Sequence, residues 1–329
     1  MGHKEEQSGQ ELVEQERATL SHEGGRPLPF SLELFRNFDQ SSVVVEPVEP
    51  LDSQFGRYGG RCFLLHNVLT AEECALLSQE MSGQMSPVKV RNDYRRNDRA
   101  IFDSPELAEV MWERVRPVAS GLELLVDKQP GKQRLLSAEA GEDDCPDELR
   151  LGYGKEGIWR PVGLNESLRF CRYTAGGFFR PHCDGCFRRN QDEQSLFTCM
   201  FYLDGDLEGG ETRFLRIDAR LTDQNYLKPA AEDQVVASIP PERGLCILFF
   251  QPGLLHEGLD LQSGTKHILR TDVMFRRDPD SKPPQTAAQR EALELVERAQ
   301  EAEANHQCDL AAGLYRRAFK LDPQLERLF

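Results

Sequence analysis

Through the middle of the chain, apolar residues come in short runs or alternate with polar ones. The stretches 168–173, 196–203, 244–250 and 267–275 are of this kind, and clusters of Gly, Pro and Asp separate them. Such segments predict β-strands. Apolar residues spaced three and four apart, the signature of a helix with one buried face, occur at 71–81, at 104–115 and again after Pro284. The pattern is therefore a β core bracketed by helices. Residues 1–50 are rich in Glu, Gln, Ser and Gly with little periodicity, which predicts a mostly flexible segment with no core of its own. Within it, Phe30-Ser31-Leu32-Glu33-Leu34-Phe35 is apolar enough to dock on the main domain.

One buried-strand pattern ends beside candidate chemistry. Ile247-Leu248-Phe249-Phe250 runs into Gln251-Pro252-Gly253, and His256 follows. Earlier in the chain stands His182-Cys183-Asp184. On or just past a strand, residues i and i+2 share a face, so His182 and Asp184 can grip one ion while Cys183 points away. Two imidazoles and one carboxylate can occupy three facial positions around iron(II), leaving three for a chelating cosubstrate and dioxygen. A His near an Asp is by itself more often a surface hydrogen-bonded pair. Its surroundings decide the matter: Arg172-Tyr173-Thr174-Ala175-Gly176-Gly177-Phe178-Phe179-Arg180-Pro181 before it, and Thr198 to Asp204 followed by Glu208-Gly209-Gly210-Glu211-Thr212-Arg213-Phe214 after it.

These motifs, in this order, resemble the iron(II)/2-oxoglutarate dioxygenases, and within them the prolyl 4-hydroxylase-like group. The resemblance runs from about Arg61 to Arg277 and includes an opening segment, Arg61 to Thr70 with Glu72-Glu73-Cys74, similar to that group's first strand and helix. It implies a mainly β fold with flanking helices (α+β), built on a double-stranded β-helix, or jelly-roll. It also implies His182, Asp184 and His256 as ligands of Fe(2+), 2-oxoglutarate as cosubstrate, and ascorbate as an auxiliary reductant. A buried dicarboxylate needs a cation to offset its desolvation. Lys266 matches the family position for that anchor. Arg270 lies four residues on and shares a strand face with Lys266, and it offers a bidentate fork, so both stay candidates. Tyr202 matches a tyrosine that donates to the same carboxylate, Thr198 lies on its face, and Tyr173 matches the tyrosine of the Arg-Tyr element. The implied chemistry is hydroxylation of a C–H bond, most plausibly in a prolyl residue, with release of succinate and carbon dioxide.

Composition narrows the setting. With 329 residues the chain accommodates one large domain and a small appendage, taken as 51–278 and 285–329. A formal charge of −15 argues against a general nucleic-acid binder. Residues 91–99 nevertheless form a local basic patch, either a solvated loop or part of a substrate lid. Stretches 129–166 and 215–243 read as long loops near the mouth of the core. Nine cysteines, an odd number, suit reduced thiols, and Cys183 with Cys186 read as small core thiols rather than half a zinc site. The opening residues show no apolar signal segment and no stretch long enough to span a bilayer, so a cytoplasmic or nuclear protein is expected. Beyond Pro284, Ala311, Tyr315, Ala318 and Pro323 fall at the positions of a tetratricopeptide second helix, while Arg298 and Ala302 fit the first helix poorly. One such hairpin cannot bury its own face. It should pack on the core, bind a protein partner or self-associate. Besides an oxygenase acting on a protein or peptide, the sequence leaves open the same chemistry on a nucleic-acid base or small metabolite, and an adaptor acting through the C-terminal helices.

Overall fold

The structure is a computed structural model that describes residues 26–127, 132–139, 144–151, 154–216, 226–304, 307–323 and 325–327. Two antiparallel sheets enclose the centre. The larger orders its main strands Val44–Pro47, Cys62–His66, Cys246–Phe250, Glu193–Tyr202 and Thr265–Arg277. Beyond Thr265–Arg277 it divides. One branch runs through Gly157–Leu164 to Leu124–Val126 and Gln133–Leu135, the other through Ser167–Thr174 to Asp98–Asp103. The smaller sheet orders Val235–Ile239, Thr212–Leu215, His256–Gly258, Phe178–His182 and Arg95–Arg96. Phe214 of the small sheet meets Phe249 of the large one edge-to-face at 5.2 Å, so the two inner faces share a core. This is the jelly-roll that the resemblance implies, and it agrees with the β core that the strand pattern predicts.

The strands follow from what each side touches. Cys246–Phe250 and Glu193–Tyr202 are buried along their whole length, because one face looks into the jelly-roll and the other meets packed structure outside. A strand buried on both faces is a continuous apolar run rather than an alternation. Outside, the helices Ala71–Ser82 and Pro105–Ala119 bury Cys74, Leu77 and Met81, and Leu107, Met111 and Val115, at the expected three-to-four spacing. Each buried aliphatic side chain of this kind contributes about 1.5–3 kcal/mol. Thr70 and Glu73 form a reciprocal capping box on the first helix, and Ser104 caps the second. Glu73 then pairs with the equally buried Arg114 at 2.6 Å, and Arg114 donates onward to the carbonyls of Val68 and Phe35.

That last bond ties down the N-terminal segment and shifts its boundary. Residues 26–50, expected to be mostly flexible, take their core from the main domain. Phe35 is buried, Arg114 lies over Phe38 at 4.0 Å, and Val44–Pro47 pairs with Cys62–His66 as an edge strand. The expectation for residues 1–25 lies outside the described residues. Two stretches read as loops also contain sheet strands. Gly157–Leu164 pairs with Thr265–Arg277 within 129–166, and Val235–Ile239 pairs with Thr212–Leu215 within 215–243. Gly157, Pro161 and Gly163 within it hide the first, and the second is only partly buried, so neither shows a strong period.

The C-terminal hairpin, Ala287–Ala304 and Cys308–Leu321, builds its own small core from Leu295, Val296, Ala299, Ala311, Leu314 and Ala318. It also meets the jelly-roll. Arg188 donates to Gln300 at 2.7 Å, and Leu293 lies so close to Gly154 that a Cβ there would approach it to 3.0 Å. No helix among the described residues is long and apolar enough to cross a membrane.

Candidate metal centre

A single turn delivers the first ligand. The strand Ser167–Thr174 reverses through Ala175, Gly176 and Gly177 into Phe178–His182, with Gly177 N–H donating to Thr174 O at 2.7 Å. Gly176 sits at φ +78°, a conformation that β-turns of this kind reserve for glycine. A Cβ on Gly177 would meet Thr174 O at 2.9 Å and Arg96 O at 3.0 Å. The two glycines thus let the chain pass from the large sheet to the small one within a few residues.

His182 ends its strand directly opposite His256, which opens the neighbouring one, and Asp184 follows just beyond. All three are buried, and a ligand atom from each lies within 4.8 Å of the others. The Nε2 atoms of both histidines stand 3.7 Å from the Asp184 carboxylate. Each Nδ1 is engaged by a backbone carbonyl, His182 with Arg180 O at 2.8 Å and His256 with Leu254 O at 2.9 Å. That bond places the proton on Nδ1 and turns the lone pair of Nε2 toward the centre of the cluster, the arrangement found around metal-ligating histidines. Packing fixes the rings as well: Phe179 stacks on His182 at 3.5 Å, and Phe249 meets His256 edge-to-face at 4.8 Å. Burial, with the neighbouring imidazole second, pushes His182 well below the ordinary histidine range, and burial lowers His256 too. Both are neutral near pH 7, as metal ligands must be.

Asp184 is held from two sides. Thr198 Oγ1 donates to Oδ2 at 2.6 Å and Arg270 Nη1 approaches Oδ1 at 2.8 Å. Burial alone would raise its pKa, but Arg270, the two imidazoles and the Thr198 hydroxyl outweigh it, and the carboxyl lies below its usual range. Two neutral imidazoles and one ionised carboxylate form a donor set that fits iron(II) with positions left open.

The cavity beside these ligands reaches Lys266, which is buried on the large sheet. Lys266 Nζ donates to Gly210 O at 2.6 Å and lies 4.6 Å from the centre of the Tyr173 ring. The Gly-Gly of 209–210 is needed here. Both have φ +76°, and a Cβ on Gly209 would meet Asp260 O at 2.5 Å, one on Gly210 Leu261 Cδ1 at 3.1 Å. Burial pushes the Lys266 ammonium down to about 8, with Glu211 only partly opposing.

The sequence-derived site residues separate into groups. His182, Asp184 and His256 converge; Lys266 and Tyr173 line the same cavity. Arg270 also lines it, yet it is engaged by Asp184 and, at 3.6 Å, by Asp272. Thr198 faces the metal ligand rather than the cavity. Tyr202 is fully buried with its hydroxyl 2.6 Å from Thr212 Oγ1, and Thr212 is the hydroxyl that reaches the cavity wall. Cys183 and Cys186 are exposed, which corrects their reading as core thiols, and Cys183 lines the cavity beside His182 and Asp184. Sequence reasoning overlooked Arg169, which shares a strand face with Cys171 and Tyr173, and left Arg95 and Arg99 in an unassigned basic patch although both line the cavity.

Comparison with known proteins agrees with this geometry. The profile of the 2OG-Fe(II) oxygenase superfamily matches residues 168–271. Prolyl 4-hydroxylase 1 of Arabidopsis thaliana is 30% identical over 118 residues, which cover 32% of this chain and 40% of that protein, so the match spans well under half of the relative's length. Among solved structures, the viral collagen prolyl hydroxylase of Paramecium Bursaria Chlorella virus-1 in its 2OG complex aligns at TM-score 0.40 and 17% identity, covering 67% of this chain and 97% of its own. A prolyl-4-hydroxylase of Pseudomonas putida aligns at TM-score 0.39 and 17% identity, covering 70% and 99%. Iron(II) and 2-oxoglutarate are the cofactor and cosubstrate that the superfamily implies, and the buried His–Asp–His cluster suits the metal. The matched segment holds His182, Asp184 and His256 together with Lys266, and over that segment the chain is similar to the 2OG-Fe(II) oxygenase superfamily and to a prolyl 4-hydroxylase.

Proposed function

We propose that this protein hydroxylates a C–H bond at the expense of 2-oxoglutarate and dioxygen, and that its substrate is a prolyl residue of a protein or peptide. The observation that carries the oxygenase reading is the convergence of two Nε2 atoms and one carboxylate, with both Nδ1 atoms locked by backbone carbonyls. The prolyl assignment draws on the Arabidopsis relative, whose name states that activity.

In this reading His182, Asp184 and His256 hold iron(II), and Lys266 receives the distal carboxylate of 2-oxoglutarate. Iron(II) with 2-oxoglutarate supplies oxidative decarboxylation coupled to C–H hydroxylation, releasing succinate and carbon dioxide. Each side chain then has a physical task. The Gly210 carbonyl and the Tyr173 face keep the Lys266 ammonium aimed into the cavity before any anion arrives. Arrival of a carboxylate replaces those weaker contacts with a charge-assisted bond in a dry setting, where it is strongest. Thr212, oriented by Tyr202, adds a hydroxyl to the same wall. Thr198 and Arg270 hold the Asp184 carboxylate in one orientation, and Phe179 and Phe249 exclude water from the imidazoles.

The test is succinate formation from 2-oxoglutarate by purified protein with iron(II) and ascorbate, comparing wild type with His182→Ala and offering proline-containing peptides. Turnover that disappears in the variant supports the oxygenase, and stimulation by a prolyl peptide supports the substrate. A wild-type protein that binds neither iron nor 2-oxoglutarate rules the reading out.

A further inference from the structure

Cations outnumber acids around the cavity. Arg95, Arg99, Arg169, Lys266 and Arg270 line it, against the carboxylates of Asp184 and Glu257. Glu257 is held by Arg213, whose Nε and Nη2 reach Oε1 at 2.9 and 2.5 Å. Asp184 serves the metal. On a chain of net charge −15, such a concentration of arginine is local and directed.

Strand register shows how the cations are spread. Lys266 pairs with Tyr173, Ile268 with Cys171 and Arg270 with Arg169, three successive rungs on one inner face. At 3.3 Å per residue, the arginine rung lies roughly 13 Å along the strands from Lys266. Arg169 and Arg270 are balanced in part by Asp272, at 2.9 and 3.6 Å. Arg99 flanks the middle rung, paired with Cys171 from the other side. Arg95 comes from the edge of the small sheet, where Phe179 is its partner, and is 6% exposed. Its guanidinium lies 4.2 Å from the centre of the Phe179 ring, its Nε donates to Asn97 Oδ1 at 2.7 Å, and Nη2 is 3.7 Å from Cys171 Sγ. Because Phe179 in turn stacks on His182, Arg95 is braced one ring away from the metal site. Arg95 and Arg99 therefore approach Cys171 from two different sheets and bracket the same part of the cavity.

We propose that the substrate presents a carboxylate to Arg95 and Arg99, so that the carbon to be hydroxylated lies toward His182 and Asp184. This rests on the oxygenase reading and deepens it. Lys266, one rung along the strands, takes the cosubstrate's carboxylate, so the two anions are kept apart. A guanidinium pair favours a planar carboxylate and disfavours a basic neighbour by like-charge repulsion. The carboxylate has two possible sources, an acidic side chain beside a prolyl residue in a peptide or the α-carboxylate of a free amino acid.

Capped peptides with Glu, Gln or Lys beside a central proline separate the first source, and free L-proline against L-prolinamide separates the second. Each pair is compared in wild type, Arg99→Gln and Arg99→Lys by succinate formation, and by calorimetric binding to protein loaded with manganese(II) and 2-oxoglutarate. In wild type the carboxylate-bearing member of one pair is expected to be favoured by about tenfold in affinity and kcat/KM, from one charge-assisted hydrogen-bonded contact. The Lys peptide should be the poorest. Arg99→Gln should bring the ratio close to one, and Arg99→Lys should retain part of it, since an ammonium keeps charge but loses the fork. A wild-type ratio of one in both pairs, or a ratio unchanged in Arg99→Gln, overturns the inference. Calorimetry reads the preference even where no succinate forms, so failure of this inference and failure of the oxygenase reading are separate results.

Discussion

Lys266 and Arg270 stand on the same face of one strand, yet the two ends of the cavity they mark differ in kind. Lys266 is buried against a carbonyl and an aromatic ring, and no carboxylate pairs with it among the described residues. Arg270 is paired on the spot with Asp184 and Asp272. A buried ammonium with only neutral partners is left short of the interaction it had with water, and an incoming anion restores it. A guanidinium already facing two carboxylates gains little from a third. In the proposed reading Lys266 would therefore receive an anion, while Arg270 would position Asp184.

The largest expected effect comes from breaking the Arg270 end. Asp184→Ala should abolish iron binding, measured as metal retained after gel filtration. It should also cost about 2 kcal/mol of stability in a denaturant titration, less than a fully enclosed pair because Asp272 remains to Arg270. Next comes the contrast between the two cations themselves. Lys266→Met should weaken 2-oxoglutarate binding roughly 10- to 100-fold with iron binding retained, and the loss of a desolvated ammonium should leave the protein no less stable. Arg270→Met should do the reverse, weakening iron several-fold through a loosened Asp184 and affecting 2-oxoglutarate less. Equal effects of the two substitutions on 2-oxoglutarate would erase the distinction.

pH sharpens it further. Lys266, lowered by burial to about 8, is protonated below that value and neutral above it in the free protein. Affinity for 2-oxoglutarate should therefore be level below about pH 8 and fall tenfold per unit above, with the slope absent in Lys266→Met. The stability of the free protein runs the other way. Between about 8 and the ordinary lysine value of 10.5 the unfolded chain binds the extra proton, so this group makes stability rise with pH through that window. The smallest effect belongs to Tyr202→Phe. Removing its bond to Thr212 should cost about 0.5–1.5 kcal/mol in thermal unfolding and change 2-oxoglutarate affinity only two- to three-fold, because Tyr202 reaches the cavity through Thr212.

What could be read from the sequence follows the range of each interaction. His182 and Asp184 were legible because i and i+2 share a strand face, and His256 because a buried apolar run precedes it. The capped helices beginning at Ala71 and Pro105 were legible through local periodicity. By contrast, Arg270 meets Asp184 only because the chain beyond Phe178–His182 reaches it across the fold, and spacing carries no record of that; Asp272, two residues on in the same strand, shares its face and was the legible part. Tyr202 shows the same limit, since its hydroxyl is directed by Thr212 on the opposite sheet. Residues 26–50 have little periodicity because they borrow the core of the main domain, so only Phe30 to Phe35 announced the docking. Arg95 enters the site on the edge of the small sheet, and in sequence it is indistinguishable from the solvated arginines around it.

The most direct measurement is a calorimetric titration of 2-oxoglutarate, without dioxygen, into iron(II)-loaded wild type, metal-free wild type, His182→Ala and Lys266→Met. Binding that requires the metal, is lost in His182→Ala and is weakened 10- to 100-fold in Lys266→Met is the expected result. Binding indifferent to the metal, or unchanged in Lys266→Met, would contradict the assignment of this cavity as an iron and 2-oxoglutarate site.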